Sequence, residues 1–150
     1  MAGTFSDLLF HIVFSTKNRI ALIDDTLQED LYRYIGGIVR GQNGVLVEIG
    51  GVSDHVHMLV RLKPTHCISD IVREIKSNSS KWVNEEKWKL RKFGWQDGYG
   101  VFTVSRSQTP RVVKYIQGQR EHHQRQDFKT EFVFLLEKHE VEYDVRYVWE

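Results

Sequence analysis

The chain has little cysteine and little proline, no long apolar run and almost no excess of either charge. Cys67 is its single cysteine, which excludes a disulfide framework within the chain and suits a reducing cytoplasm. Pro64 and Pro110 are the two prolines. No low-complexity linker divides the chain and no internal repeat is visible. No apolar run approaches the roughly 20 residues of a membrane span. The stretch from Met1 to Phe5 lacks the basic and apolar regions of a secretory signal. A soluble, cytoplasmic protein with no membrane partner is expected. Lys and Arg total 21 against 20 for Asp and Glu, a net charge of +1. Nucleic-acid binding would therefore need a local basic surface rather than global charge.

What is present is core-forming material. The 150 residues are 41% hydrophobic and 12% aromatic, which predicts one folded domain over residues 1–150 rather than disorder. Residues 5–16 alternate, with Leu8, Phe10, Ile12 and Phe14 on one face, and predict a strand. Residues 25–42 carry Leu27, Leu31, Tyr34, Ile35, Ile38 and Val39 at helical spacing, with Gly41 and Gly44 marking the end. Val45–Ile49 predicts a second strand closed by Gly50-Gly51, and residues 55–62 a third that ends before Pro64. Ser69 is expected as the N-cap of a second helix with Ile68, Ile71, Val72, Ile75, Trp82 and Val83 as its apolar stripe. Residues 99–105 predict a fourth strand. Thr109 as N-cap and Pro110 at the first position open a third helix to about Arg125. Asp127 caps a last one with Phe128, Phe132, Leu135 and Leu136. This order predicts an α+β, ferredoxin-like (split βαβ) fold. It has a mainly antiparallel sheet with helices on one face, the other face left free for a site, and further helices at the C-terminus.

The most informative stretch is Asp54-His55-Val56-His57. Side chains at i and i+2 of a strand share a face, so His55 and His57 point one way, while Val56, Met58, Val60 and Leu62 point to the core. Their roots, roughly 6–7 Å apart, let both imidazoles reach one metal ion, although a pair of surface histidines alternates in the same way. On the third helix, Val112, Ile116 and His123 are assigned to the buried stripe, and Arg111, Tyr115, Gln119 and His122 to another face. A tyrosine one turn from a glutamine offers a nucleophile and a metal ligand together, although a half-buried structural tyrosine fits the same spacing.

Asp54-His55-Val56-His57 resembles the His-hydrophobic-His motif of the HUH nucleases. Val113-Lys114-Tyr115-Ile116-Gln117-Gly118-Gln119 resembles the nucleophile helix of single-tyrosine HUH transposases, the small insertion-sequence (IS200-like) transposases and their palindrome-associated relatives. His11-Ile12-Val13-Phe14-Ser15-Thr16-Lys17, Glu48-Ile49-Gly50-Gly51-Val52, Ser77-Asn78-Ser79-Ser80-Lys81-Trp82 and Trp95-Gln96-Asp97-Gly98-Tyr99-Gly100 are similar to the same family, as is Glu142-Tyr143-Asp144. The resemblance implies a transposase that cuts and rejoins single-stranded DNA, with hairpin ends, as a homodimer in which the tyrosine helix of one chain often completes the site of the other; a monomer with the site completed within one chain is the alternative. It implies Tyr115 as nucleophile and His55, His57 and Gln119 as ligands of Mg²⁺ or Mn²⁺, with His122 and His123 as further candidates. A non-catalytic nucleic-acid-binding module of the same fold is the alternative. So is a zinc site built from His55, His57, His66 and Cys67.

A phenol with a pKa of about 10 is ionised in only about one molecule per thousand at neutral pH, a deficit of roughly 4 kcal/mol. A metal beside the scissile phosphate offsets it. Lys17, Arg19, Lys76, Lys81 and Arg106 are candidate phosphate contacts. Trp95 and Tyr99 are candidate stacking residues, with core packing the preferred reading for Trp95.

Overall fold

The computed structural model of the chain describes residues 3–88 and 90–149. Period-two segments form β1 (Leu8–Ser15), β2 (Val45–Val52), β3 (His55–Leu62) and β4 (Gly100–Val104). The helices are α1 (Asp25–Gly41), α2 (Ile68–Trp82), α3 (Thr109–Gln117), the short α4 (Gln119–His122) and α5 (Phe128–Lys138). The sheet order is β2-β3-β1-β4, and each neighbouring pair is antiparallel. This is the expected split βαβ arrangement. No helix among the described residues is long and apolar enough to cross a membrane.

One sheet face forms the main core. Ile12 and Phe14 of β1 and Val56, Met58, Val60 and Leu62 of β3 pack against Leu27, Leu31, Ile35 and Val39 of α1 and Ile71, Val72 and Ile75 of α2. Those α1 positions recur every four residues, so one turn after another presents the same stripe. Asp24 starts α1 by accepting the Leu27 amide at 2.8 Å. Trp95 is core, as preferred, and its indole N–H donates to Ser79 Oγ at 2.9 Å.

The other face is roofed rather than open. Leu9, Leu59 and Ile116 form one small core with α3, and Val13 and Phe102 form another with Phe128, Phe132, Leu135 and Leu136 of α5. His55 and His57 lie on this face and are fully buried.

Several boundaries differ from expectation. β2 does not stop at Gly50-Gly51; Gly50 pairs with His57 and Gly51 with Val56. Those glycines mark close approach, not a strand end. A Cβ at Gly50 would stand 2.4 Å from the Ile116 carbonyl oxygen, so the backbone of α3 rests on the sheet only because no side chain intervenes. Gly50→Ala should therefore destabilise the fold by at least about 2 kcal/mol, since the colliding atom is backbone, and should displace α3. Denaturant unfolding measures the first effect. Unchanged stability would mean that α3 does not sit this close. Ser69 is not the N-cap of α2; Cys67 occupies that position without a side-chain cap. Thr109 is the first residue of α3, preceded by a 3-10 turn at Arg106–Gln108. The third helix does not run to Arg125 but breaks at Gly118, where α3 ends and α4 starts. Asp127 caps α5 as expected, accepting the Thr130 amide.

Candidate functional site

Strand β3 delivers His55 and His57 from one face, as the alternation requires. The break at Gly118 lets α4 turn Gln119 and His123 inward, and α5 crosses beneath to add Glu131, which is 1% exposed. Its Oε1 lies 2.9 Å from His57 Nε2, 3.0 Å from His123 Nε2 and 3.3 Å from His55 Nε2. Its Oε2 accepts the Tyr115 hydroxyl proton in a short hydrogen bond. His122 Nε2 is 3.3 Å from Oε2 but is not aligned for a hydrogen bond. Gln119 Oε1 is 3.1 Å from His55 Nε2, and its amide donates to the Tyr115 carbonyl oxygen. Tyr115, His55, His57 and Gln119 thus meet within one chain, and no partner is required to bring them together.

The far nitrogens of the two strand histidines are also held. His55 Nδ1 donates to Asp54 Oδ1 at 2.7 Å, and His57 Nδ1 shares a hydrogen bond with His11 Nε2 at 2.8 Å. Both Nε2 atoms are thereby turned toward Glu131, the arrangement in which outer partners orient metal-binding imidazoles.

Electrostatics separates the two histidines. Burial opposes a charge on His55, but hydrogen bonds to Asp54 and Glu131 outweigh it and its pKa is pushed up to about 9. Burial dominates at His57, pushed down to about 4, and at His11, pushed down to about 3. Burial likewise opposes ionisation of Glu131, yet hydrogen bonds from His123, His55 and His57 overcome it and hold the carboxyl far below the usual range. The Tyr115 phenol is pushed up, first by burial and then by the Glu131 charge.

These shifts set the pH dependence of stability in the metal-free chain. The raised His55 stabilises fully below its unfolded value of 6.5 and loses that contribution as pH rises through about 9. The lowered His57 and His11 stabilise above 6.5 and lose their contribution as pH falls through about 4 and about 3. In chelator, the melting temperature should peak near pH 6.5 and fall by several degrees at pH 9 and at pH 5. A melting temperature flat from pH 6.5 to 9 would show that His55 carries no proton.

A divalent cation fits these donors. His55, His57, His123 and Glu131 each offer a ligand atom, all within 4.8 Å of one another, with one carboxylate to balance the ion's charge. The amide oxygen of Gln119 borders the same space. The zinc arrangement with His66 and Cys67 does not assemble. His66 follows the opposite end of β3 and is held by the Lys63 amide and the Gln42 carbonyl oxygen, and Cys67 contacts Ser69.

The basic residues singled out in the sequence are scattered. Lys17 and Arg19 follow Ser15, which pairs with His55, so they stand at the site's end of the sheet. Lys76 and Lys81 lie on α2, across the sheet. The Lys76 ammonium donates to the carbonyl oxygens of Gln96, Asp97 and Gly98, and burial pushes its pKa down to about 8; it anchors the loop before β4, with Tyr99 beside it. Arg106 stands 3.8 Å from Asp7 at the far end of β1. Nearer to Tyr115 is a groove of about 830 Å³ lined by Lys114, His122 and Arg125.

Glu131 carries no role in the sequence reading. Its signal was a carboxylate inside the apolar stripe of α5, three residues after Phe128 and four before Leu135.

The family described as "Transposase IS200 like" matches residues 4–119. That stretch holds His55, His57, Tyr115 and Gln119 and ends before His123 and Glu131. The transposase for insertion sequence element IS200 of Salmonella typhimurium is 30% identical over 131 residues, 81% of this chain and 82% of its own length. The ISDra2 transposase TnpA of Deinococcus radiodurans is 26% identical over 125 residues, 79% of this chain and 89% of its own. Among solved structures, a transposase from Deinococcus radiodurans R1 matches with a TM-score of 0.66 at 26% identity, covering 79% of this chain and 95% of that one. A REP-associated tyrosine transposase bound to a REP hairpin shares the fold, with a TM-score of 0.62 at 17% identity over 82% of this chain and 74% of that one.

Proposed function

The chain belongs to the IS200-like transposase family, and from that premise we propose that it cuts and rejoins single-stranded DNA through Tyr115, with a divalent cation held by His55 and His57. The observation that carries this reading is the shared carboxylate: Glu131 touches Tyr115 on one oxygen and His55 and His57 on the other.

Tyr115 Oη attacks the phosphorus, forming a tyrosine–phosphate ester as the bond to the 3′ oxygen breaks. The phenol proton leaves, the 3′ oxygen takes one up, and the products are a 5′-phosphotyrosine and a free 3′-hydroxyl. Attack of a 3′-hydroxyl on the ester reverses the step, so no nucleotide cofactor is consumed. The hydrogen bond to Glu131 orients the phenol, while burial and the Glu131 charge disfavour the free phenolate. A divalent ion on this donor set supplies a Lewis acid for the phosphate. The family resemblance points to Mg²⁺ or Mn²⁺, and the imidazole-rich donors favour Mn²⁺ of the two. Gln119 matches the third-ligand position that the family resemblance implies, and Glu131 and His123 stand close enough to join it.

Denaturing gels after incubation with hairpin-tailed single-stranded DNA and Mn²⁺ test the reading. A metal-dependent covalent adduct mapped to Tyr115 is expected. An adduct on another residue, or none with metal present, overturns it.

The active unit is a homodimer in this reading. β2 and β4 are the sheet edges, and an exposed edge needs covering. Twofold pairing would cover one edge. In this reading each chain uses the cluster that it assembles itself; the sequence left open whether Tyr115 serves its own chain or its partner. Mixing Tyr115→Phe and His57→Ala chains should therefore give no rescue of cleavage. Recovered cleavage in the mixture would mean that the tyrosine helix serves the partner.

A further inference from the structure

Behind Tyr115, between β4, α3 and α5, lies a cavity of about 490 Å³ that the strand-transfer chemistry leaves unused. His11, Phe102, Arg111, Tyr115, Phe134 and Lys138 are among the residues that bound it. Its size is that of a small-ligand pocket. Phe102 is buried, but Phe134 is 54% exposed in spite of its size. Arg111 and Lys138 are exposed, and neither has an ion-pair partner among the described residues. His11 is only 5% exposed. Its Nε2 is shared with His57 Nδ1, while its Nδ1 has no hydrogen-bond partner among the described residues.

We propose that this cavity is a nucleotide subsite that receives one unpaired base of the strand being cut, with the flanking phosphate on Arg111 and Lys138. The inference rests on the single-strand reading above and adds where the substrate lies. A base is flat and apolar on its faces, polar along its edge and tethered to phosphate. The cavity offers the exposed Phe134 for a face, His11 Nδ1 for the edge and two cations for the phosphate, while Phe102, stacked on His139, forms part of its apolar wall. Tyr115 is the wall shared between this cavity and the groove holding Lys114, His122 and Arg125. A strand that runs from the groove into the cavity passes the Tyr115 hydroxyl, which places the cut beside the captured base. One position next to the cut is therefore selected by the fit of its base.

The test uses hairpin-tailed single strands captured covalently by the wild-type chain from a randomised pool. An abasic site is then placed at each position around the cut. In the wild-type chain, one flanking position should lower the rate of adduct formation about tenfold when its base is removed, the worth of one stacked base. In Phe134→Ala, whose exposed side chain makes a folding defect easy to exclude by thermal unfolding, the intact strand should react slowly and the abasic penalty should vanish. Arg111→Ala should weaken binding and reduce the salt slope by about one phosphate contact. Equal tolerance of every abasic position, or an unchanged penalty in Phe134→Ala, overturns the subsite while leaving strand cleavage intact. Failure of the wild-type chain to capture any single strand overturns the strand-transfer reading and the subsite together.

Discussion

Tyr115→Phe should abolish covalent capture of single-stranded DNA, a loss on the order of a thousandfold or more, because the atom that forms the ester is gone. The same change removes a hydrogen bond to a buried carboxylate, so it is not neutral for the fold. The stability cost is about 1–3 kcal/mol, the range for a charged acceptor that loses its donor. Glu131 keeps four imidazole nitrogens within 3.3 Å, which is why the chain should still fold. Two measurements separate the effects: adduct formation on denaturing gels, and DNA binding by gel shift together with thermal unfolding. Loss of the adduct with retained binding is the expected pattern. A Tyr115→Phe chain that still forms a phosphotyrosine adduct would place the nucleophile elsewhere.

His57→Ala and Glu131→Gln should each weaken Mn²⁺ binding by about a hundredfold or more, beyond the tenfold to hundredfold typical of outer-shell changes. His57→Ala deletes a donor from the centre of the cluster and strips His11 of its partner. Glu131→Gln keeps the shape and removes the charge that balances the ion. Electron paramagnetic resonance of free Mn²⁺ reads both without reference to cleavage. The two variants should differ in chelator. Glu131→Gln leaves the protonated His55 without one of its two carboxylate partners, so the raised His55 pKa should fall. The decline in stability between pH 6.5 and about 9 should then shrink. Unchanged Mn²⁺ affinity in Glu131→Gln would mean that the carboxylate is not a ligand and that Gln119 or His123 completes the site without it.

Much of this architecture is local and could be read from the chain. The alternation of residues 55–62 is a property of any extended backbone, and it put His55 and His57 on one face and Val56, Met58 and Val60 on the other. The four-residue recurrence of Leu27, Leu31, Ile35 and Val39 did the same for α1, and Asp127 announced α5 because a carboxylate caps the amide three residues on. Boundaries were less legible, since Gly50-Gly51 has the composition of a strand end. What those glycines do depends on α3, whose Ile116 carbonyl oxygen comes to rest against Gly50 from 66 residues away in sequence.

The site itself divides along the same line. The sequence by itself singled out the candidate residues His55, His57, Tyr115 and Gln119, because their spacing and their likeness to a known motif are contained in short segments. Only the tertiary structure decided what those residues face. Glu131 reaches His57 across 74 positions and His11 reaches it across 46, and no periodicity spans such distances. Burial then did what composition cannot foretell. It sent His57 and His11 to the neutral form, left His55 charged between two carboxylates, and raised the Tyr115 phenol. The physical reason is that a pKa belongs to a side chain's surroundings. Here those surroundings are assembled by α5, a helix whose sequence announces little beyond an apolar stripe and one carboxylate inside it.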